Sequence, residues 1–258
     1  MNVANLSIKE IRERLEILDE VPKDFLQYLK EDKRKGVQAL VRQVEAVLAR
    51  QEQLARQWTE MTEYERMLRS KGHVHVFGID EVGRGPLAGP VVAGAVCLPE
   101  DFYLPGLNDS KKLPAATREA FYEVIMRDAL AVGIGIVDAR RIDEINILAA
   151  TKEAMRLAID NAGMMPDACL LDAVQLSGLA CEQVPIIGGD GKSVSIAAAS
   201  IVAKVTRDKM MAEYAAQYPQ YGFDKNAGYG TAEHVAAIAR FGPTPLHRMT
   251  FAGVKEQA

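Results

Sequence analysis

The stretch GIDEVGRGPLAGPVVAGAV, Gly78–Val96, decides how this chain is to be read. It begins on the end of an apolar run, Val74–Ile79, and closes on a second, Val91–Leu98; both predict β-strands. The connection between them is rich in Gly and Pro and too short to hold a helix. Asp80 and Glu81 follow the first run directly. Two adjacent carboxylates at the end of a buried strand are unfavourable unless a cation or hydrogen bonds compensate them. An isolated Asp-Glu pair is most often a turn. Here Gly83 and Gly85 add a second feature, because glycine lets a backbone approach another group closely, such as a sugar or a phosphate.

Downstream, the runs Ala131–Val137, Ala168–Leu171 and Gln183–Ile187 predict further strands, the last a short one. Helical periodicity fills the intervals at Pro114–Arg127 and Asn146–Asn161. Ser193–Tyr218 predicts a long helix in which Ala197, Ala198, Ala199, Ile201, Val202 and Val205 suit close packing on a sheet. Thr231–Phe241 predicts a last helix, opened by Thr231. Strands interleaved with helices give an α/β fold, a mixed sheet flanked by helices, over residues 72–258.

Residues 1–71 read differently, as a small all-helical N-terminal region. Leu15, Leu18, Phe25, Leu26 and Leu29 suit short helices around a break at Val21-Pro22. From Val37 apolar residues recur every three or four positions towards Met67. Ser70-Lys71-Gly72 suits a helix end and marks the expected domain boundary. The basic residues Lys33, Arg34, Lys35, Arg42 and Arg50 raise the idea of a substrate-binding arm. A solvated face balanced by Glu10, Glu13, Glu16 and Glu45 is the equal alternative.

The chain has 258 residues, 48% of them hydrophobic and 26% charged, which fits a folded protein and not a disordered one. No apolar run approaches the roughly 20 residues that span a bilayer, and the first residues lack the pattern of a secretory signal. Cys97, Cys169 and Cys181 are scattered without CxxC spacing, which fits core filler in a reducing cytoplasm. The net charge of −4 does not point to nucleic acid, yet carboxylates kept for cations are compatible with a polyanionic substrate.

Two more acids stand where an α/β site wants them. Asp172 follows the apolar run Ala168–Leu171, and Asp190 follows Ile186-Ile187-Gly188-Gly189. Ligands of open α/β sheets gather at strand ends. Four carboxylates there have the oxygen-donor chemistry of Mg²⁺ and Mn²⁺, and a pair of such ions roughly 4 Å apart suits phosphodiester hydrolysis. The alternative makes Asp172 and Asp190 loop acids or helix caps.

With Gly78–Val96, the segments NDSKKL (Asn108–Leu113), SIAAASIVAKVTRD (Ser195–Asp208), GYGTAEH (Gly228–His234) and PLHRMTF (Pro245–Phe251) form an ordered set that resembles bacterial ribonuclease HII. The likeness runs from about Val74 to Phe251, and the intact GRG at Gly83–Gly85 distinguishes it from ribonuclease HIII. It implies a ribonuclease H-like fold and a role in ribonucleotide excision repair. The activity implied is endonucleolytic cleavage of RNA in RNA/DNA hybrids, and 5′ of ribonucleotides within duplex DNA, leaving 3′-hydroxyl and 5′-phosphate. Carried over by position, Asp80 bridges two Mg²⁺ or Mn²⁺ ions. Glu81 and Asp172 hold the ion near the leaving group, and Asp190 the one that activates water.

By the same resemblance, Gly83, Arg84 and Gly85 read the ribose 2′-hydroxyl and Tyr229 stacks on the following deoxyribose; without the motif Tyr229 reads as a core tyrosine. Ser110, Lys111, Ser200 and Lys204 are expected phosphate contacts, with a solvated surface charge the alternative for each lysine. Asp208 is expected to pair with Lys204 or Arg207 on a helix surface, and His234 and His247 to be hydrogen-bonded structural residues. The expected partners are RNA/DNA hybrid and ribonucleotide-containing DNA duplex, with no membrane, for a monomer in the cytoplasm. Two alternatives are a ribonuclease H-fold DNA nuclease and a non-catalytic hybrid-binding protein.

Overall fold

The computed structural model describes residues 6–17 and 21–257, so the expectation for Leu18 lies outside the described residues. Strand β1 (Val76–Val82) is central in a five-stranded sheet. It pairs antiparallel with β2 (Val91–Cys97), which pairs antiparallel with β3 (Ala131–Val137). On its other side β1 runs parallel to β4 (Ala168–Asp172), and β4 parallel to β5 (Glu182–Ile186). The order β3-β2-β1-β4-β5 is the expected mixed sheet. Asp80 and Glu81 lie inside β1, opposite Gly94 and Ala93, whereas the sequence places them just beyond it. The ladder is a backbone structure, and β2 carries it past the point where the apolar side chains stop.

Side chains alternate across the sheet with a period of two. Phe77, Ile79, Ala93 and Ala95 pack on Ala150, Ala154 and Ala158 of α7 (Ile147–Asn161). On the opposite face Val96 meets Ala197, Ala198, Ile201 and Val202 of α8 (Val194–Gln217), with Ile125 of α5 (Ala115–Asp128) beside them. Helix α8 lies against the sheet backbone itself. A methyl on Gly78 would fall within the main chain of Ser195 and Ile196, and one on Gly94 would stand 2.5 Å from the carbonyl oxygen of Ala199.

Helix starts are fixed by side-chain caps. Asn146 accepts from Leu148 and Ala149 N–H to open α7, Ser193 from Ile196 to open α8, and Thr231 from His234 to open α10 (Ala232–Phe241). The sequence leaves two short helices unread, α6 (Ala139–Ile145), capped by Asp138, and α9 (Phe223–Asn226). Neither is long enough to repeat an apolar face. Two of the scattered cysteines meet, Cys169 and Cys181, with their sulfurs 3.6 Å apart as free thiols.

The chain divides into two compact units between Gln57 and Trp58, earlier than the change of composition at Gly72. The physical reason is α4 (Glu63–Ser70). Its Leu68 is buried with Val76, Ala168, Leu170 and Ile196, and its Glu65, 1% exposed, accepts from the Ser193 hydroxyl and the Ser195 N–H at the start of α8. In the first unit α1 (Ile8–Ile17), α2 (Lys23–Glu31) and most of α3 (Lys35–Met61) enclose Ile11, Leu29, Val37, Leu40 and Val41. Ser7 and Glu10 bond to each other's backbone N–H and so form a capping box at the start of α1. Among the described residues no helix is long and apolar enough to cross a membrane.

The close approach at Gly94 generates a prediction. Helix backbone cannot yield as a flexible side chain does, so Gly94→Ala is expected to lower the unfolding free energy by about 1–3 kcal/mol, the range for overpacked cores. The denaturant midpoint at unchanged m-value measures this; an unmoved midpoint would show that α8 lifts from the sheet without cost.

Candidate active site

The four strand-end acids come from three elements. Asp80 sits near the end of β1, 4% exposed, and hydrogen-bonds to Ser200 of α8. The Ser200 and Ser110 hydroxyls are 2.9 Å apart and both are buried. Each hydroxyl has one proton to give; when Ser200 gives its proton to Asp80, Ser110 gives its own to Ser200. The close approach of α8 at Gly78 and Gly94 is what places Ser200 there. Asp172 ends β4 and accepts from the Gly189 N–H at 2.8 Å. Asp190 lies in the single helical turn Gly189–Gly191 that leads into α8.

The electrostatics show negative charge crowded out of water. Burial, then the neighbouring Glu81, push Asp80 well above the usual carboxylate range. Burial raises Glu81 against the opposing pull of Arg84, and burial followed by Asp109 raises Asp190. Two cations lean on the cluster. The Arg84 guanidinium is 3.2 Å from Glu81, and the Lys111 ammonium is 3.9 Å from Asp190. Burial opposes the charge of Lys111, yet Asp109, Asp80, Asp190 and Asp172 together hold its pKa above the ordinary value. The second oxygen of Glu81, Oε2, is buried with no hydrogen-bond partner. Among the described residues no three His, Cys, Asp or Glu side chains converge into a ready-made metal cage. An all-oxygen donor set with under-compensated charge and one orphaned oxygen nonetheless fits a hard divalent cation.

The expected ribose-reading residues are also brought together. A methyl on Gly85 would stand 3.5 Å from the Tyr229 ring, and Tyr229 is 48% exposed, not a core residue. Gly83 has φ +92° and must be glycine on that ground alone. Other expectations are redistributed. Lys204 is held by Asp208 at 2.6 Å, with Arg118 3.7 Å from the same acid, while Arg207 is buried and turned away from it. Ser110 and Ser200 are buried links to Asp80 and not open donors.

Sequence reasoning misses three residues. Asp109 accepts from the Lys111 N–H at 2.9 Å and borders Asp190; its signal is its place inside NDSKKL. Arg207 and Arg248 are buried beneath the Gly83–Gly89 turn. Both stand in quoted motifs, but an arginine in a sequence reads as surface.

His234 and His247 are the expected structural pair, and their tautomers follow from their partners. The Thr244 N–H donates to His247 Nδ1, which therefore carries no proton. Nε2–H of His247 then donates to His234 Nε2 at 3.1 Å, and Nδ1–H of His234 donates to the Tyr229 carbonyl at 2.8 Å. Two neutral rings thus hold the backbone of Tyr229.

The chain matches one family of proteins over nearly its whole length. The profile of the ribonuclease HII family matches residues 77–254, and that of the ribonuclease HII N-terminal domain residues 7–69. The chain belongs to the ribonuclease HII family. A ribonuclease HII of Bacillus subtilis (strain 168) is 54% identical over 250 residues, covering 97% of this chain and 98% of that one. The ribonuclease HII of Enterococcus faecalis is 49% identical over 254 residues, covering 98% and 99%. The crystal structure of ribonuclease H2 from Pyrococcus horikoshii OT3 is similar with a TM-score of 0.60 and 25% identity, over 70% of this chain and 96% of that one. Ribonuclease HII membership makes the chain an endoribonuclease acting on RNA/DNA hybrids. The DNA-nuclease and non-catalytic alternatives fall with it.

The histidine pair gives a pH prediction whose sign is fixed by burial. An unfolded histidine titrates near 6.5, whereas burial and the neighbouring His234 lower His247 to about 4. The unfolded chain therefore binds the proton first, and stability present above pH 6.5 is lost as the pH falls towards 4. His247→Gln is expected to melt lower at pH 7 yet to lose less between pH 7 and pH 4.5; parallel acid limbs in thermal melts would dismiss the pair as the source.

Proposed function

We propose that the chain cuts the phosphodiester 5′ of a ribonucleotide, in hybrids and within duplex DNA, with Asp80, Glu81, Asp172 and Asp190 holding two Mg²⁺ or Mn²⁺ ions. The observation that supports this reading best is that Asp80, Glu81, Asp172 and Asp190 act on one another's charge, with Glu81 Oε2 left orphaned, near the glycine turn that Tyr229 flanks. Divalent ions bound there supply activation of water and stabilisation of the leaving oxygen. The protein's own groups do the rest. Lys111 offsets part of the carboxylate charge and offers an ammonium to a phosphate. The Ser110–Ser200 pair fixes the rotamer of Asp80, and the ring of Tyr229 gives the sugar next to the ribose a flat surface.

This reading includes a monomer working in a reducing cytoplasm, in ribonucleotide excision repair, with residues 72–258 catalytic and residues 1–71 a helical extension. In that extension Lys33, Lys35, Arg42 and Arg50 are exposed and suit a duplex-binding arm. Arg34 does not, because Asp32 and the Leu6 carbonyl occupy its guanidinium.

A DNA duplex with one embedded ribonucleotide, incubated with Mg²⁺ or Mn²⁺, is expected to be cut once on the 5′ side of that nucleotide. An uncut duplex under conditions that degrade a long hybrid would remove the junction reading. Asp80→Asn is expected to reduce cleavage by more than about a hundredfold, beyond the loss that follows when only a group supporting a metal ligand is removed. It should also raise the melting temperature of the metal-free protein, since it relieves buried like charge; cleavage at the wild-type rate would end the proposed role of Asp80. Reversing Lys33, Lys35 and Arg42 to Glu together should flatten the dependence of log K on log salt by about 0.9 for each phosphate no longer neutralised, and an unchanged slope would dispose of the arm.

A further inference from the structure

Arg207 of α8 and Arg248 of the C-terminal segment are the two largest side chains that solvent does not reach. Among the described residues neither forms an ion pair. Every guanidinium nitrogen of both donates instead to a main-chain carbonyl. Arg207 donates from Nε to Pro90 at 2.9 Å, from Nη1 to Ala227 at 2.9 Å and from Nη2 to Ala88 at 3.1 Å. Arg248 donates from Nη2 to Gly83 at 2.5 Å and from Nη1 to Arg84 at 2.8 Å, and it reaches Gly89 from Nη2 at 2.8 Å and Nε at 3.1 Å. Burial lowers both guanidinium pKa values, that of Arg248 to about 9. Burying two cations without counter-ions is unfavourable, so the arrangement calls for a functional account.

Peptide geometry provides one. A trans peptide is planar, and its C=O and the following N–H point in opposite directions. Drawing the carbonyls of Gly83 and Arg84 onto Arg248 therefore aims the N–H groups of Arg84 and Gly85 away from it. Among the described residues no backbone acceptor takes either N–H. Gly85 is the residue that faces the Tyr229 ring. Gly83 completes the fit, since a methyl there would collide with Nε of Arg207.

We propose that Arg248 and Arg207 are positioning residues for ribose recognition, which lock the peptide planes of the Gly83–Pro90 turn so that two N–H donors are presented beside Tyr229. The inference rests on the reading of Gly83–Gly85 as the ribose-contacting segment. The two arginines touch no substrate themselves. They act from behind, and they replace the flexibility expected of a turn rich in glycine by a fixed donor pair.

The test uses the full-length protein with Arg248→Lys and Arg207→Lys, which keep the charge and lose the fork. Two quantities are read well below the melting temperature. The first is amide exchange of the 83–90 segment. The second is discrimination, the Ki of an all-DNA duplex divided by the KM of the same duplex with one ribonucleotide, alongside kcat. Faster exchange confined to this segment is expected, with discrimination and kcat/KM reduced about tenfold or more, within the hundredfold that a 1 Å misplacement can cost. The Ki of the all-DNA duplex should stay at the wild-type value, which a merely destabilised protein would not single out. Wild-type exchange and discrimination in both variants would overturn the proposal. If a lysine variant fails to fold by circular dichroism, glutamine at that position takes its place. Gly85→Ala separates the two levels. Wild-type discrimination in Gly85→Ala would overturn the ribose reading and this inference together. Reduced discrimination in Gly85→Ala beside unaffected arginine variants would overturn only the inference.

Discussion

The contact of α8 with the backbone of β1 and β2 is the constraint on which the rest of the molecule depends. It exists because Gly78 and Gly94 put no side chain between their own backbone and the helix, and because the helix answers with alanines. Once the two backbones touch, the positions along α8 have fixed destinations. Ser193 and Ser195 fall beside Glu65, Ser200 falls beside Asp80, and Arg207, two turns further on, falls beneath the Gly83–Pro90 segment. One helix thus sets the end of the Asp190 turn, the hydrogen bond to the central acid and the support of the glycine loop. A small lateral shift of that helix would alter all three, which is why its packing is tied to chemistry as much as to stability.

The acid end of the sheet shows the opposite priority. Asp80, Glu81 and Asp190 are each raised by burial, and Asp80 is raised further by its like-charged neighbour. Hydrophobic residues there would give a more stable fold. The chain keeps the carboxylates and softens their repulsion with Arg84 and Lys111, both of which remain at the rim, where a polyanion can compete for them. Stability is given up locally in return for a site that attracts cations.

Much of this is legible in the sequence, and what is not has physical causes. The strands announce themselves because alternate or continuous apolar residues are needed to bury a sheet, and Ala131–Val137 is read to the residue. The long helices follow from periodicity, with Asn146, Ser193 and Thr231 as their caps. The β1 end is misjudged because Asp80 and Glu81 break the apolar pattern while the backbone ladder continues. Helix α6 escapes because seven residues do not repeat an apolar face. The four acids are legible because each follows an apolar run, whereas the nearness of Gly85 to Tyr229 comes only from ordered motifs, since partners about 145 positions apart cannot be inferred from local spacing. Arg207 and Arg248 are illegible for a different reason. Their role depends on carbonyl directions, and no residue type encodes where a carbonyl points.

Glu65 decides where the two parts of the chain can be separated. Its carboxylate crosses from α4 to close the buried start of α8, and one of its oxygens, Oε2, remains buried without a partner. The stretch that composition assigns to the helical extension therefore includes a part that the sheet unit needs for itself. A break in the chain near Gln57 leaves this joint whole, whereas a break at Gly72 tears it. The family profile of the N-terminal domain, residues 7–69, takes in α4, so the segment matched as a domain and the unit that packs as one have different edges.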